Sequence, residues 1–345
     1  MSTLAPAAAA LIQVQRPSHP RISCVVPAFN EAASLPALLT ALTAQLQAMG
    51  CPWEVIVVSD GSRDDTPMAV APWLIDQPVC LIELSRNFGK EIALSAGLDV
   101  ATGDVVVLMD ADLQHPVEFL PVMLQHWREG ADMVYGLQNN RERETLIKRW
   151  GTFVFYRLLN RVSRFQIPPD AGDFRLLDRK VADALRSLPE RNRYMKGLYA
   201  WVGFKSVGFE FTPPERFAGM THFPFKRLFW LAVDGVTSFS NMPLRLWSLS
   251  GAFLAMISVL YGLYIFVGWF IWGADVPGWT TLAVGLMLLS GVQLMSVGIL
   301  GEYIGRVFDE VKQRPLYVVG CSLGQGLPDQ PGTQAAPSEP GQAGG

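Results

Sequence analysis

Residues 104–116 read DVVVLMDADLQHP. Asp104–Met109 is a β-branched apolar run of strand length, and it ends in two carboxylates two residues apart, Asp110 and Asp112, separated by Ala111. In an open parallel sheet the loops at the carboxyl ends of the strands converge on the ligand crevice, so a strand that empties into an acidic turn marks both a fold and a place in it. Working outward, further short runs rich in β-branched residues lie at Ile22–Val26, Glu54–Ser59, Val79–Leu84 and Asp132–Tyr135, separated by longer amphipathic stretches. That alternation is the signature of βα units, an α/β domain with a parallel sheet covered by helices.

The rest of the chain has another character. It has 345 residues, of which 50% are hydrophobic and 17% charged, with a mean hydropathy of +0.23, which places part of it in lipid. Residues 249–272 and 279–301 contain no charged side chain, and each is long enough to cross a hydrocarbon core of ~30 Å as a helix. Trp247, Trp269, Trp272, Trp279 and Tyr303 stand at or near their ends, where amphipathic aromatics favour the headgroup zone. Lys226, Arg227 and Arg245 precede the first span, Arg306, Lys312 and Arg314 follow the second, and the loop between carries only Asp275. The excess of basic flanks puts the large domain and the C-terminal end on the cytoplasmic side. The expected division is a disordered leader over 1–20, a catalytic-sized domain over 21–224, a juxtamembrane amphipathic segment over 225–248, transmembrane helices over 249–272 and 279–301, a cytoplasmic tail segment over 302–319 and a disordered tail over 320–345. A net charge of −3 argues against a surface built for nucleic acid. The four cysteines, Cys24, Cys51, Cys80 and Cys321, lack C-x-x-C spacing and read as reduced thiols.

Three polar clusters follow strands: Pro27-Ala28-Phe29-Asn30-Glu31, the run from Ser59 to Thr66, and the run from Asp110 to Pro116. Asn30, Asp60 and Asp65 also suit helix caps and turns, and Asp65 is read as a cap. Asp110 and Asp112 repel one another unless a cation sits between or beside them. Hard oxygen ligands of this kind suit Mg²⁺ or Mn²⁺ with the remaining ligands taken from water and a diphosphate. Asp60 is expected on the neighbouring strand, able to meet a ribose or base. His115 and His126 lack paired ligand spacing and are read as structural.

The ordered motifs VVPAFNE (25–31), VVSDGSRDDT (57–66), LSRNFGKEIALSAGLDVATGDVVVLMDADLQHP (84–116), GDFRLLDRKV (172–181), ERNRYMKGLYAWVGF (190–204), SFSNMPLR (238–245) and GILGEYIGRVFDEVKQRPLY (298–317) resemble the family 2 glycosyltransferases. The resemblance is to the bacterial polyprenyl-phosphate glycosyltransferases, relatives of dolichol-phosphate mannosyltransferase, and runs from about Ile22 to Val319. It implies a GT-A fold, a Rossmann-like, mainly parallel sheet, followed by a two-helix transmembrane hairpin in the bacterial inner membrane. It also implies inverting, metal-dependent transfer of a sugar, UDP-glucose first, from a nucleotide diphosphate sugar to undecaprenyl phosphate. The product would be a lipid-linked monosaccharide for envelope glycan modification, and the family suggests a homo-oligomer. Carried over by position, Pro27, Phe29, Glu31, Val58 and Asp60 would hold the nucleoside, Asp110 and Ala111 would lie against the donor, Asp112 and Gln114 would bind the metal, and Arg216 would reach the diphosphate. Relatives commonly read R-x-A-G-E-S-K from this arginine; here Met220-Thr221-His222 follows Gly219, so His222 stands where a lysine would touch phosphate.

Asp173 matches the position often proposed as general base. A lipid monophosphate, with a second pKa of about 6, is already largely dianionic at neutral pH, so Asp173 suits either a base or a positioning role. Between Glu144 and Phe165 a helical reading puts Ile147, Trp150, Val154 and Leu158 on one stripe and Arg157, Arg161 and Arg164 on another, as for a helix resting on an anionic leaflet or one packed on the core with a solvated basic face. Lys148 and Arg149 are the acceptor-phosphate candidates. Lys90 and Glu91 match the family without an independent physical role. Two rival enzyme classes fit less well. A haloacid dehalogenase-like phosphohydrolase usually carries Thr or Val where this chain has Gln114, and a processive polysaccharide synthase would show Q-x-x-R-W, whereas Leu146-Ile147-Lys148-Arg149-Trp150 lacks the glutamine.

Overall fold

The computed structural model describes residues 16–138, 171–191, 193–212, 242–272 and 278–326. In chain order the elements are β1 (Ile22–Ala28), α1 (Leu35–Ala48), β2 (Trp53–Ser59), α2 (Thr66–Val70), β3 (Val79–Leu84), α3 (Lys90–Val100), β4 (Val105–Leu108), α4 (Leu120–Arg128), β5 (Met133–Gln138), β6 (Ala171–Asp178), α5 (Arg179–Ser187), α6 (Met195–Trp201), β7 (Ser206–Phe211), α7 (Met242–Trp272), α8 (Trp279–Val311) and β8 (Val319–Gly324). The strands form one sheet in the order β7-β5-β6-β4-β1-β2-β3-β8. Neighbours are parallel except where β6 pairs with β4 and β5, and where β8 pairs with β3. This is the mainly parallel GT-A sheet expected from the motifs. Because β1 lies between β2 and β4, the acidic loops of β2 and β4 are two strands apart and not neighbours as expected.

Apolar layers on both faces explain why the central strands read as unbroken hydrophobic runs. Every residue of β1 and of β2 is buried. On one face Leu35, Leu38, Leu39, Leu42 and Leu46 of α1, spaced as a helical stripe, join Val26, Val55 and Trp127 in one core cluster. On the other face α3, α5 and α6 contribute Leu94, Val181 and Leu198 to a second cluster that includes Val25 and Val58. Gly97 lets α3 press onto β1, where an added Cβ would overlap Val25.

Three expected boundaries change. Residues 16–20 are not part of a free leader: Arg16 donates to the carbonyl of Ala131 (2.6 Å) and to Asp132 (2.7 Å), and lies over the Trp127 ring at 4.8 Å. The helices also outrun the charge-free spans, with α7 starting at Met242 and α8 continuing to Val311. Charge ends a lipid span but not a helix, and beyond residue 301 the ladder is supported by the Glu302–Arg306 pair at i,i+4 (3.1 Å). Within α8, Gly285–Val311 is apolar and long enough to cross a membrane, and α7 carries the shorter apolar stretch Leu249–Tyr264. Trp247 of α7 donates to the Ser296 hydroxyl of α8. Finally, Val319–Gly324, expected in a tail segment and disordered tail, is an edge strand with all its residues exposed. Its composition argued for disorder, but ladder hydrogen bonds use the backbone, and the open edge of β3 supplies partners without any buried side chain.

Candidate active site

The loops at the carboxyl ends of β1, β2 and β3 are knitted together by the protein itself. Asn30, in a left-handed conformation (φ 57°), accepts through Oδ1 from the Arg63 amide (2.9 Å), and the Glu31 amide donates to the Thr66 hydroxyl (2.8 Å). Asp64, and not Asp65 as expected, supplies the side-chain cap of α2 by accepting from the Thr66 amide (3.1 Å). Asp60 is only 3% exposed, and both its oxygens are engaged: Oδ1 accepts from the Phe88 amide (2.7 Å) and Oδ2 from the Gly89 amide (2.8 Å). The following Gly61, at φ 63°, has backbone of Arg86 and Asn87 where a Cβ would stand. Asp60-Gly61 thus receives the β3–α3 loop and fixes the start of α3.

The first residue of α3 is Lys90. Its ammonium bridges Asp110 after β4 (2.6 Å to Oδ1) and Asp173 in β6 (2.7 Å to Oδ2). Burial works to lower the Lys90 pKa, but the Asp110 and Asp173 charges outweigh it and hold the ammonium firmly protonated. Burial likewise works to raise Asp173, and Lys90, then Lys196, overcome it and bring the carboxyl down to about 2. Glu91, beside them, is pushed up to about 7 by burial and by the Asp173 charge. Below Asp173 on the same strand Arg175 is 4% exposed, lies over the Tyr199 ring at 4.3 Å and donates to the Gly172 carbonyl at 3.1 Å.

The Asp110 loop is held from beneath. His115 is 4% exposed, stacks on Phe174 (centroids 5.0 Å apart) and accepts the Asp110 amide at Nδ1 (2.9 Å). Burial lowers its pKa against the raising effect of Asp110, so the neutral ring buttresses the turn as a structural histidine. Asp112 Oδ1 accepts the Gln114 amide (3.1 Å) across Leu113, which is left-handed at φ 62°. Asp110 is balanced by Lys90, whereas no cation pairs with Asp112 among the described residues. No group of three His, Cys, Asp or Glu side chains converges among the described residues. An open set of one or two hard oxygen donors fits a divalent ion that takes its other ligands from water and a diphosphate.

The site-residue expectations sort by position. Asp110, Asp112, Asp173 and the half-buried Gln114 gather at this end of the sheet with Ala111 buried beneath them. Phe29 is 43% exposed at the rim, while the Glu31 carboxylate accepts from the Ser34 hydroxyl. Pro27 and Val58 are buried. The side chain of Val58 belongs to the α3-side core. Lys148, Arg149, Arg216, His222 and the 144–165 stretch lie outside the described residues. Lys90 and Lys196 gained roles the sequence reading lacked. The available signal was their placement in the first turns of helices, where the macrodipole favours anions and a cation needs another reason to be.

The Glycosyl transferase family 2 model matches residues 23–186, and the GtrB C-terminal hairpin model matches residues 242–307. An uncharacterized glycosyltransferase, sll0501, of Synechocystis sp. is 43% identical over 299 residues, covering 86% of this chain and 94% of that protein. The SfII prophage-derived bactoprenol glucosyl transferase of Shigella flexneri is 41% identical over 300 residues, covering 87% and 97%. YkcC of Bacillus subtilis, an uncharacterized glycosyltransferase, is 40% identical over 307 residues, covering 89% and 95%. Sequence, sheet and site agree with these matches: the chain belongs to the family 2 glycosyltransferases, a GT-A enzyme with a C-terminal helical hairpin of the GtrB type.

Proposed function

We propose that the enzyme transfers a single sugar, glucose from UDP-glucose first, to a polyprenyl phosphate at the cytoplasmic face of a membrane that α7 and α8 both cross. The observation that carries this reading is the convergence of Asp110 and Asp173 on Lys90 at the same end of the sheet as Leu84, where the chain returning from α8 joins it. Seven residues, 312–318, separate the end of α8 from the register partner of Leu84, so even fully extended they reach only about 25 Å. A lipid-borne acceptor and a soluble donor can therefore meet there. Relatives named as bactoprenol glucosyl transferases favour the same acceptor class.

In the proposed reaction an oxygen of the lipid phosphate forms a bond to the anomeric carbon as the bond to the diphosphate oxygen breaks. The electron pair leaves with the nucleoside diphosphate, and one displacement inverts the centre. A divalent ion, Mg²⁺ or Mn²⁺, would neutralise charge on the departing diphosphate, with Asp112 as protein ligand and Gln114 beside it. Asp173, at a pKa of about 2, is a poor proton acceptor, and a dianionic phosphate needs none. Asp173 is therefore assigned to holding Lys90 and the acceptor side in place. Arg216 and His222 on the diphosphate, and Lys148 and Arg149 on the acceptor phosphate, belong to the same proposal.

The test is a donor screen with full-length protein, undecaprenyl phosphate and Mg²⁺ or Mn²⁺ against a panel of UDP- and GDP-sugars. UDP release from UDP-glucose that requires the lipid phosphate and yields one sugar per lipid is expected. Equal release without the lipid, or a product carrying many sugars, would overturn the reading.

A further inference from the structure

After leaving α8 the chain does not trail away. It crosses the flank of the catalytic domain at Tyr317, passes the β3–α3 loop at Val318 and joins the sheet at Val319. The Tyr317 hydroxyl donates to Asp99 Oδ2 (2.9 Å) near the end of α3, and its ring, like that of Phe88, packs against the core cluster to which that helix contributes. The Ser85 amide donates to the Val318 carbonyl (2.9 Å) just before the loop that leads to α3. The returning strand then pairs with β3 from Leu84 back to Cys80. The other flank of the same loop is held by Asp60. The segment from Ser85 to Lys90 is thus fixed from two sides, by a core carboxylate and by the chain that emerges from the hairpin.

We infer that Tyr317 and strand β8 form a strap that positions Lys90, so that the hairpin's return to the sheet sets the geometry of the Asp110–Lys90–Asp173 bridge. The strap holds both sides of the Lys90 position: the backbone of Val318 fixes Ser85, five residues before it, and the phenol meets Asp99, nine residues further along an 11-residue helix. Arg186 of α5 also faces Asp99, at 3.7 Å, so the carboxylate ties strap, α3 and α5 together. Burial first, and the Asp99 charge second, push the Tyr317 hydroxyl up, so it stays a proton donor across the physiological range. Tyr317 touches no reacting atom and is a positioning residue. The inference rests on the proposed glycosyl transfer only for its activity readout.

The test combines a double-mutant cycle with amide exchange in the full-length membrane protein. Tyr317→Phe removes only the hydroxyl, Asp99→Ala removes the acceptor, and Asp99→Asn keeps a carbonyl that accepts the same bond. Tyr317→Phe and Asp99→Ala are each expected to lower kcat about fivefold with donor KM little changed, and to speed exchange at residues 85–90 by a similar factor. The double variant should be no worse than Asp99→Ala alone, which also loses the Arg186 contact, and Asp99→Asn should restore the part of the rate that depends on Tyr317. Truncation after residue 316 should lower kcat further, while truncation after 326 should not. Wild-type kcat and wild-type exchange at 85–90 in the 316 truncation would overturn the strap. So would additive single effects, or a loss of melting temperature with kcat per folded molecule unchanged. Because exchange is read without substrate, failure of the wild type to transfer sugar would count against the proposed function and leave the strap to be judged by exchange alone.

Discussion

Two acidic loops stand at the same end of one sheet, and the fold engages their carboxylates differently. The carboxylate after β2, Asp60, is buried, and both of its oxygens are consumed by backbone amides of the protein. The pair after β4 is half-buried: Asp110 shares an ammonium with Asp173, and Asp112 spends one oxygen on its own turn. Composition cannot separate the two, since each is an Asp at the end of an apolar strand. What separates them is where the hydrogen-bond capacity goes. Asp60 gives one bond from each oxygen to its own fold, out of about four acceptor positions, whereas Asp112 gives one in all and keeps more of its capacity for a ligand.

That contrast makes the largest expected effect one that leaves the fold alone. Asp112→Asn should reduce nucleoside diphosphate release about 10³-fold or more, since it removes charge where a divalent ion and a diphosphate would meet. Its melting temperature should stay within a degree or so of wild type, because no partner of the fold is lost. Near-normal turnover at unchanged metal concentration would remove Asp112 from the site.

Lys90→Met tests the link between the two sides. With the ammonium gone, Asp110 and Asp173 face each other unscreened, and kcat should drop about 10²-fold. A pH signature accompanies it. Asp173 titrates at about 2 in the folded protein, below its reference value of about 3.9, so its pairing contributes stability above about pH 4 that is lost as pH falls towards 2. The deficit of Lys90→Met against wild type should therefore be full at pH 5 and above and shrink on acidification. A deficit independent of pH would show that Lys90 stabilises by packing, not by charge.

Asp60→Asn should show the reverse balance from Asp112→Asn. The amide can accept one of the two backbone bonds but turns an N–H donor towards the other, at a cost of about 1–3 kcal/mol, or several degrees for a domain of this size. Activity should fall only as far as the Lys90 loop is displaced, about tenfold by analogy with the loss of an outer-shell contact. If Asp60→Asn is as inactive as Asp112→Asn while melting normally, the buried carboxylate is also a ligand contact and the contrast between the loops fails.

How much of this was legible follows the same logic. Strands β1, β2 and β4 were read to within a few residues because they are buried on both faces and rich in β-branched side chains, and β3 by its short apolar run. Strand β6 was read only as a motif, since Asp173 and Arg175 alternate with Phe174 and Leu176 in a strand that serves the site on one face and the core on the other. Strand β8 was missed because edge pairing needs no apolar pattern. Asp110, Asp112 and Asp173 were singled out by chemistry and motif, and the fold brings them to one end of the sheet. The role of Lys90 was not, because its two partners lie 20 and 83 residues away and are brought to it only by the sheet order.

The smallest effect expected is on the acid limb of the activity profile, where His222, in its proposed place on the diphosphate, would work in the opposite direction by gaining charge below about pH 6.5, and three other groups compete for the limb itself. The lipid phosphate has a second pKa of about 6 and loses its dianion on acidification. Asp173, held at about 2, is ionised throughout the range and cannot supply a limb between pH 5 and 7. Glu91, at about 7, does titrate there, beside Asp173. A kcat/KM profile for wild type, Asp173→Asn and Glu91→Gln, with the lipid phosphate titrated in the same vesicles by phosphorus NMR, separates them. We expect the limb to follow the lipid in all three proteins, with Asp173→Asn lower at every pH but unchanged in shape. Glu91 should appear in stability instead. Its folded pKa lies above the reference value of about 4.3, so the fold favours the protonated form, and the stability this contributes is lost as pH rises through about 7. Glu91→Gln should flatten that decline. If it shifts the activity limb while the lipid titrates as before, the limb belongs to the protein, and if Asp173→Asn erases it, Asp173 is the base and the dianion argument is wrong.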